Sequence, residues 1–280
     1  MERPAWVDSE LYPFADSRLD GIHYVDEGDG PPLLMLHGNP TWSFTWRGVI
    51  AGLRDRYRCI APDLPGFGLS SAPAGYGFTA AEHARAIERL VVELDLRDAT
   101  LMVQDWGGPI GFAVAGRQPD RFSSYVIGNT WAWSMKGNRA ARVFSGFLGG
   151  PIGRYLILKR NFFVDRIIPR ATRSDLSERV MDMYRGPFPT PESRRPVAVF
   201  PKEIIAASAW LEEVERNIPK RPALIVWPTH DQAFRSAERE RWEAMLPDHR
   251  TVLLEGARHY IGEDAPREIA DAVLRFQPGD

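Results

Sequence analysis

Apolar positions along the chain fall into two patterns. Short unbroken runs at Leu33 to Leu36, Leu101 to Val103, Ser124 to Gly128, Ala223 to Trp227 and Thr251 to Leu254 have the length of buried strands. Between them lie segments with helical periodicity. The clearest is 79–94, where Ala84, Ile87, Leu90, Val91 and Leu94 share a face and Thr79 with Glu82 forms a capping box. Residues 43–56 are helical in character and precede a strand at Tyr57 to Ala61. A last helix runs from Pro266 to Phe276, with Ile269, Ala272, Val273 and Phe276 on one side. The N-terminal part reads as a hairpin, with a turn at Asp20-Gly21 and alternation over Ile22 to Val25. Strands alternating with helices predict an α/β protein with a mostly parallel central sheet flanked by helices.

The alternation is interrupted once. From about Ser134 to Arg216 the sequence offers helical segments, broken by Gly and Pro, but no buried strand. This predicts a helical cap at 134–216, inserted after the sixth strand between core segments 1–133 and 217–280. Such an insertion covers the carboxyl edge of the sheet, where open α/β sheets bind ligands.

The stretch Thr100 to Gly111, TLMVQDWGGPIG, joins a strand to a helix of small and apolar residues through an abrupt turn. That is the context of a nucleophile elbow, which lifts one side chain above the strand ends. Asp105 occupies the raised place, and a carboxylate there attacks saturated carbon to give an ester. An ordinary strand–turn–helix corner would share this pattern, so the remaining parts have to decide.

Net charge is −2 in 280 residues, which gives no polybasic field for nucleic acid or an anionic membrane. No N-terminal apolar h-region or membrane-length apolar run is present, and the single cysteine, Cys59, sits in a strand as a structural thiol. These features predict a cytoplasmic enzyme without disulfides. The sequence does not set its oligomeric state.

An ester formed on Asp105 needs a base and an acid to orient that base. Of the six histidines, only His259 follows the last strand; His23 lies in the hairpin and His83 on the exposed part of a helix. Asp231, after the strand ending at Trp227, is the candidate acid. The alternative strand end carries Asn129, which holds no charge, and Asp264 reads as a cap or dipole partner of the last helix. The backbone N–H groups of Asn39 and Trp106 can form an oxyanion hole. Their side-chain N–H groups suit a halide, although a tryptophan beside a nucleophile can equally be packing.

HGNPTWSF, DLPGFGLS, QDWGGPIG, GNTWAW, DQAF and HYIGEDAP, in this order, resemble the haloalkane dehalogenases of the α/β-hydrolase superfamily. The resemblance runs from about Leu11 to the C-terminus. It implies Asp105 as nucleophile, His259 as base, Asp231 as acid, and Asn39 with Trp106 as halide-stabilising pair, a combination resembling the third subfamily. The implied reaction converts a small apolar haloalkane to a primary or secondary alcohol, halide and a proton, with no cofactor or metal. It also implies a pocket lined by Trp131, Phe144, Phe147, Pro201, Ala233, Phe234 and Tyr260. Gly262 departs from expectation, since a larger polar residue is expected there, and could loosen the His259 loop.

Three rivals remain. An epoxide hydrolase would need acidic donors such as the cap tyrosines Tyr155 and Tyr184; Asn39 argues against it. A cofactor-free oxygenase of luciferase type uses a similar constellation. A catalytically silent binding protein would commonly have lost one of the expected residues, and none is missing.

Overall fold

A computed structural model describes residues 3–276. Eight strands form one sheet: β1 (Ser17–Leu19), β2 (Ile22–Glu27), β3 (Pro32–Leu36), β4 (Arg58–Pro62), β5 (Ala99–Asp105), β6 (Phe122–Thr130), β7 (Ala223–Pro228) and β8 (His249–Leu254). Their order is β1-β2-β4-β3-β5-β6-β7-β8. The hairpin strands pair antiparallel, β2 joins β4 antiparallel, and every later pairing is parallel. The unbroken apolar runs of β3 and β5 lie at the centre of this sheet and that of β7 lies just inside the β8 edge, and all three are buried.

Helices cover the sheet. After a 3-10 turn at Ser43–Trp46 comes α1 (Arg47–Leu53), then α2 (Ala80–Glu93) and α3 (Gly107–Arg117). The α2 capping box forms as the sequence predicts: Thr79 Oγ1 accepts from the Glu82 N–H, and Glu82 accepts from the Thr79 N–H at 3.0 Å. Such a cap contributes about 1 kcal/mol.

Between β6 and β7 the chain is helical: α4 (Arg139–Leu148), α5 (Pro151–Arg160), a π-helical turn at Phe163–Ile167, α6 (Ile168–Arg170), α7 (Glu178–Arg185), α8 (Arg195–Ala206) and α9 (Ser208–Arg216). The last three helices are α10 (Ser236–Met245), α11 (Ile261–Asp264) and α12 (Pro266–Leu274).

One histidine departs from the sequence reading. His83 is not on an exposed helix face but fully buried, packed between Phe67 and Phe200. Burial holds it neutral, with its pKa lowered to about 3. His23 is also fully buried and bridges two carboxylates, with Nδ1 2.9 Å from Asp63 and Nε2 3.1 Å from Asp16. Cys59 is buried and unpaired, and burial pushes its thiol up to about 12, so it is poorly reactive.

Candidate active site

The carboxyl ends of β3, β5, β6 and β7, with the loop after β8, converge on Asp105. Asp105 ends β5 with φ +50°, a left-handed conformation that costs a non-glycine residue energy and marks a special turn. Small neighbours make room for it. A Cβ on Gly107 would run into the Leu36 carbonyl, and one on Gly108 into the Thr130 hydroxyl. A Cβ on Gly38 would collide with the Asp105 side chain itself. The turn is further held by Thr130, whose Oγ1 donates to the Asp105 carbonyl.

The backbone N–H of Asn39 donates to Asp105 Oδ1 at 2.8 Å, and the Trp106 N–H also favours the charged carboxylate. Burial pushes the Asp105 pKa up, and the His259 charge with these two N–H groups offsets part of that. The Asn39 Nδ2 makes only a 3.5 Å contact to the Val197 carbonyl. The Trp106 indole lies between Phe200, stacked at 4.7 Å between centroids, and Trp131, edge-on at 4.7 Å. The indole N–H of Trp131 is buried and has no hydrogen-bond partner among the described residues.

His259 Nδ1 lies 3.0 Å from Asp231 Oδ2, and its Nε2 lies 3.7 Å from Asp105 Oδ2. Burial pulls the His259 pKa down; the Asp231 carboxylate and then Asp105 more than offset it, raising the value to about 9. The same ion pair and the Asn129 amide hold Asp231 below the usual carboxylate range despite its burial.

Asn129 is the residue the sequence analysis undervalued. It cannot serve as the acid, but its Nδ2 donates to Asp231 Oδ2 at 2.5 Å and to the His259 carbonyl at 2.8 Å. Gln104 donates to the same carbonyl at 3.1 Å. Its position at the end of β6, beside the elbow strand, was the available signal.

Asp264 requires a correction. It does not cap α12, whose N-terminal residue Ala265 has no side-chain cap. Its carboxylate instead accepts the backbone N–H groups of Arg173 and Arg258, both at 2.7 Å. The first belongs to the cap and the second immediately precedes His259. The His259 N–H donates to the cap carbonyl of Ala171 at 3.0 Å, completing a latch between cap and histidine loop. Glu263 adds to it by accepting from Arg47 and from the Tyr184 hydroxyl. The larger polar residue expected at Gly262 does not fit: the position is buried, and a Cβ there would strike the Thr45 carbonyl.

The expected pocket residues divide. Trp131 stacks on Phe234 at 5.2 Å, Phe234 stacks on His259 at 5.9 Å, and Tyr260 meets His259 edge-on at 4.9 Å. Pro201 is buried in α8 next to Phe200. Ala233 is exposed and contributes its N–H to Asp231 at 2.7 Å. Phe144 and Phe147 are 43% and 54% exposed and line an open apolar depression with Arg139, Ala140 and Val143. They join none of the aromatic pairs around Trp106, because the outward face of α4 carries them away from it. Of the two tyrosines an epoxide hydrolase would need, Tyr155 is 55% exposed and Tyr184 gives its O–H to Glu263. No group of metal-binding side chains occurs among the described residues.

The model of the α/β hydrolase fold family matches residues 31–266. Haloalkane dehalogenase 2 of Mycobacterium tuberculosis is 47% identical over 276 residues, covering 95% of this chain and 96% of that protein. This chain belongs to the haloalkane dehalogenases. The crystal structure of haloalkane dehalogenase DbeA from Bradyrhizobium elkani superposes with a TM-score of 0.84 at 29% identity, covering 93% of this chain and 95% of that one. A cis-3-alkyl-4-alkyloxetan-2-one decarboxylase of Shewanella oneidensis is 29% identical, covering 91% of this chain and 84% of that protein.

Proposed function

We propose that this protein hydrolyses small apolar haloalkanes through a covalent ester on Asp105. Asp105 attacks the carbon bearing the halogen in line, the carbon–halogen bond breaks, and the halide leaves with the bonding pair. The Asn39 Nδ2–H and the Trp106 indole N–H stabilise the departing anion by donation, and neither can protonate it at neutral pH. His259, held by Asp231, then takes a proton from water as the water attacks the ester carboxyl carbon. The backbone N–H groups of Asn39 and Trp106 receive the negative charge that develops on the carboxyl oxygen. Collapse returns Asp105 and yields a primary or secondary alcohol, and His259 gives up its proton to solvent. The chain's own residues suffice for both halves, so no cofactor is invoked.

The observation that carries this reading is the 3.7 Å separation of His259 Nε2 from Asp105 Oδ2. It exceeds a hydrogen bond. The histidine is therefore suited to activating a water for the second half rather than to deprotonating the nucleophile.

The test is halide release from 1-bromobutane and 1,2-dibromoethane by the parent and by Asp105→Ala. Release that disappears in the variant is the expected result. Diol formation from styrene oxide without halide release would move the assignment to an epoxide hydrolase. Trp106→Phe is expected to lose roughly 10²–10³ in rate, the scale of deleting one donor to a developing anion. A β-lactone is the third substrate to assay, given the Shewanella relative.

A further inference from the structure

The outward face of the α4–α5 hairpin is unusual in this molecule. Val143 and Ile152 are each 66% exposed, Tyr155 55%, Phe147 54% and Phe144 43%; these are most of the exposed large hydrophobic residues. Scattered exposed apolar residues need no explanation, but a cluster on two adjoining helices does. The same segment is basic. From Phe122 to Val164 there is no acidic residue, while Lys136, Arg139, Arg142, Arg154, Lys159 and Arg160 lie within it. All of these but Arg154 are exposed.

None of the six makes a salt bridge among the described residues, whereas Arg179 pairs with Asp8 and Glu10, Arg185 with Asp165, and Arg241 with Glu215. The overall charge of −2 therefore hides a locally positive stretch of chain. No helix among the described residues is long and apolar enough to cross a membrane.

We propose that the α4–α5 face docks the protein on an anionic lipid surface, with the apolar side chains entering the headgroup boundary and the flanking cations meeting lipid phosphates. The pairing of exposed aromatic and aliphatic side chains with unpaired Lys and Arg is what interfacial binding requires. A second copy of the chain fits less well. An isologous contact would set this face against itself, bringing like charges together with no acid in the segment to pair them. The acid-free segment thus selects an anionic partner. This inference does not depend on the reaction proposed above.

The test is co-sedimentation of the full chain with phosphatidylcholine vesicles and with vesicles that also contain phosphatidylglycerol. Binding is expected only with the anionic lipid and weakens at high ionic strength. Val143→Ser/Ile152→Ser and Arg139→Glu/Arg142→Glu are each expected to lower the bound fraction roughly tenfold, with thermal melting unchanged. Failure to bind anionic vesicles, or variants that bind as well as the parent, would overturn the proposal. So would light scattering that finds a dimer which Val143→Ser/Ile152→Ser converts to a monomer.

Discussion

Asp105 Oδ1 accepts the backbone N–H of Asn39 at 2.8 Å, so the loop after β3 holds the carboxylate before any substrate arrives. That loop can approach because Gly38 has no side chain. Gly38→Ala is expected to lower turnover by roughly 10²-fold or more, the scale of displacing a reacting group by about 1 Å. Steady-state halide release measures it. A fold-wide cause is separated by checking that circular dichroism at working temperature is unchanged.

His259→Gln is expected to leave the first half of the reaction intact and to arrest the second. Mass spectrometry of the variant after 1-bromobutane should find the protein heavier by one butyl group, carried on the peptide containing Asp105. Unmodified protein with full halide turnover would contradict the assignment of His259 as base.

Asn129→Ala removes two donated hydrogen bonds, one of them to a buried carboxylate. Hydrogen bonds to charged groups contribute about 1.5–3 kcal/mol, which corresponds to roughly 10- to 100-fold in the rate of ester hydrolysis. Pre-steady-state halide bursts should grow as the second step slows. Because Asn129 Nδ2 lies 3.2 Å from His259 Nδ1, Asn129→Asp should restore part of the activity lost in Asp231→Ala.

The pH dependence follows from the raised pKa of His259. Folding favours its cation, so the associated stability is fully present below the unfolded value of about 6.5. That stability is lost as pH rises through about 9. The melting temperature should therefore fall between neutral pH and pH 10 in the parent, and fall less in His259→Gln. Asp105 contributes to the upward shift, so in Asp105→Asn the His259 imidazole should titrate below about 9, as followed by NMR. Alkylation of Asp105, as proposed, would remove the same charge and lower the His259 pKa, leaving more of the imidazole in the neutral form that accepts a proton.

Strands and helices with strong periodicity were legible in the chain: the α2 capping box, the apolar runs of β3 and β7, and the elbow at Asp105 all appear where their patterns fall. The boundary of the first core helix was less so. Residues 43–56 divide into a 3-10 turn and α1, a distinction of hydrogen-bond pitch that periodicity does not encode. Burial of polar residues was illegible for a different reason. His83 sits in an amphipathic helix, yet aromatic residues from distant segments enclose it. Asp264 has the sequence context of a helix cap, but its partners, Arg173 and Arg258, come together only through tertiary folding. Phe144 and Phe147, placed in the pocket by the resemblance alone, face outward, because exposure depends on what packs against α4.

The Asp264 latch bears on how this protein can be recombined. The cap looks like an exchangeable module, bounded by β6 and β7, and its transplantation between relatives is an obvious route to new specificity. Ala171 and Arg173 are nevertheless tied to the backbone on either side of His259. A chimera cut only at the ends of the cap would pair one parent's 171–173 with the other parent's 258–264. The inherited unit for crossover design is therefore discontinuous: the cap travels with the histidine loop, or His259 loses its support.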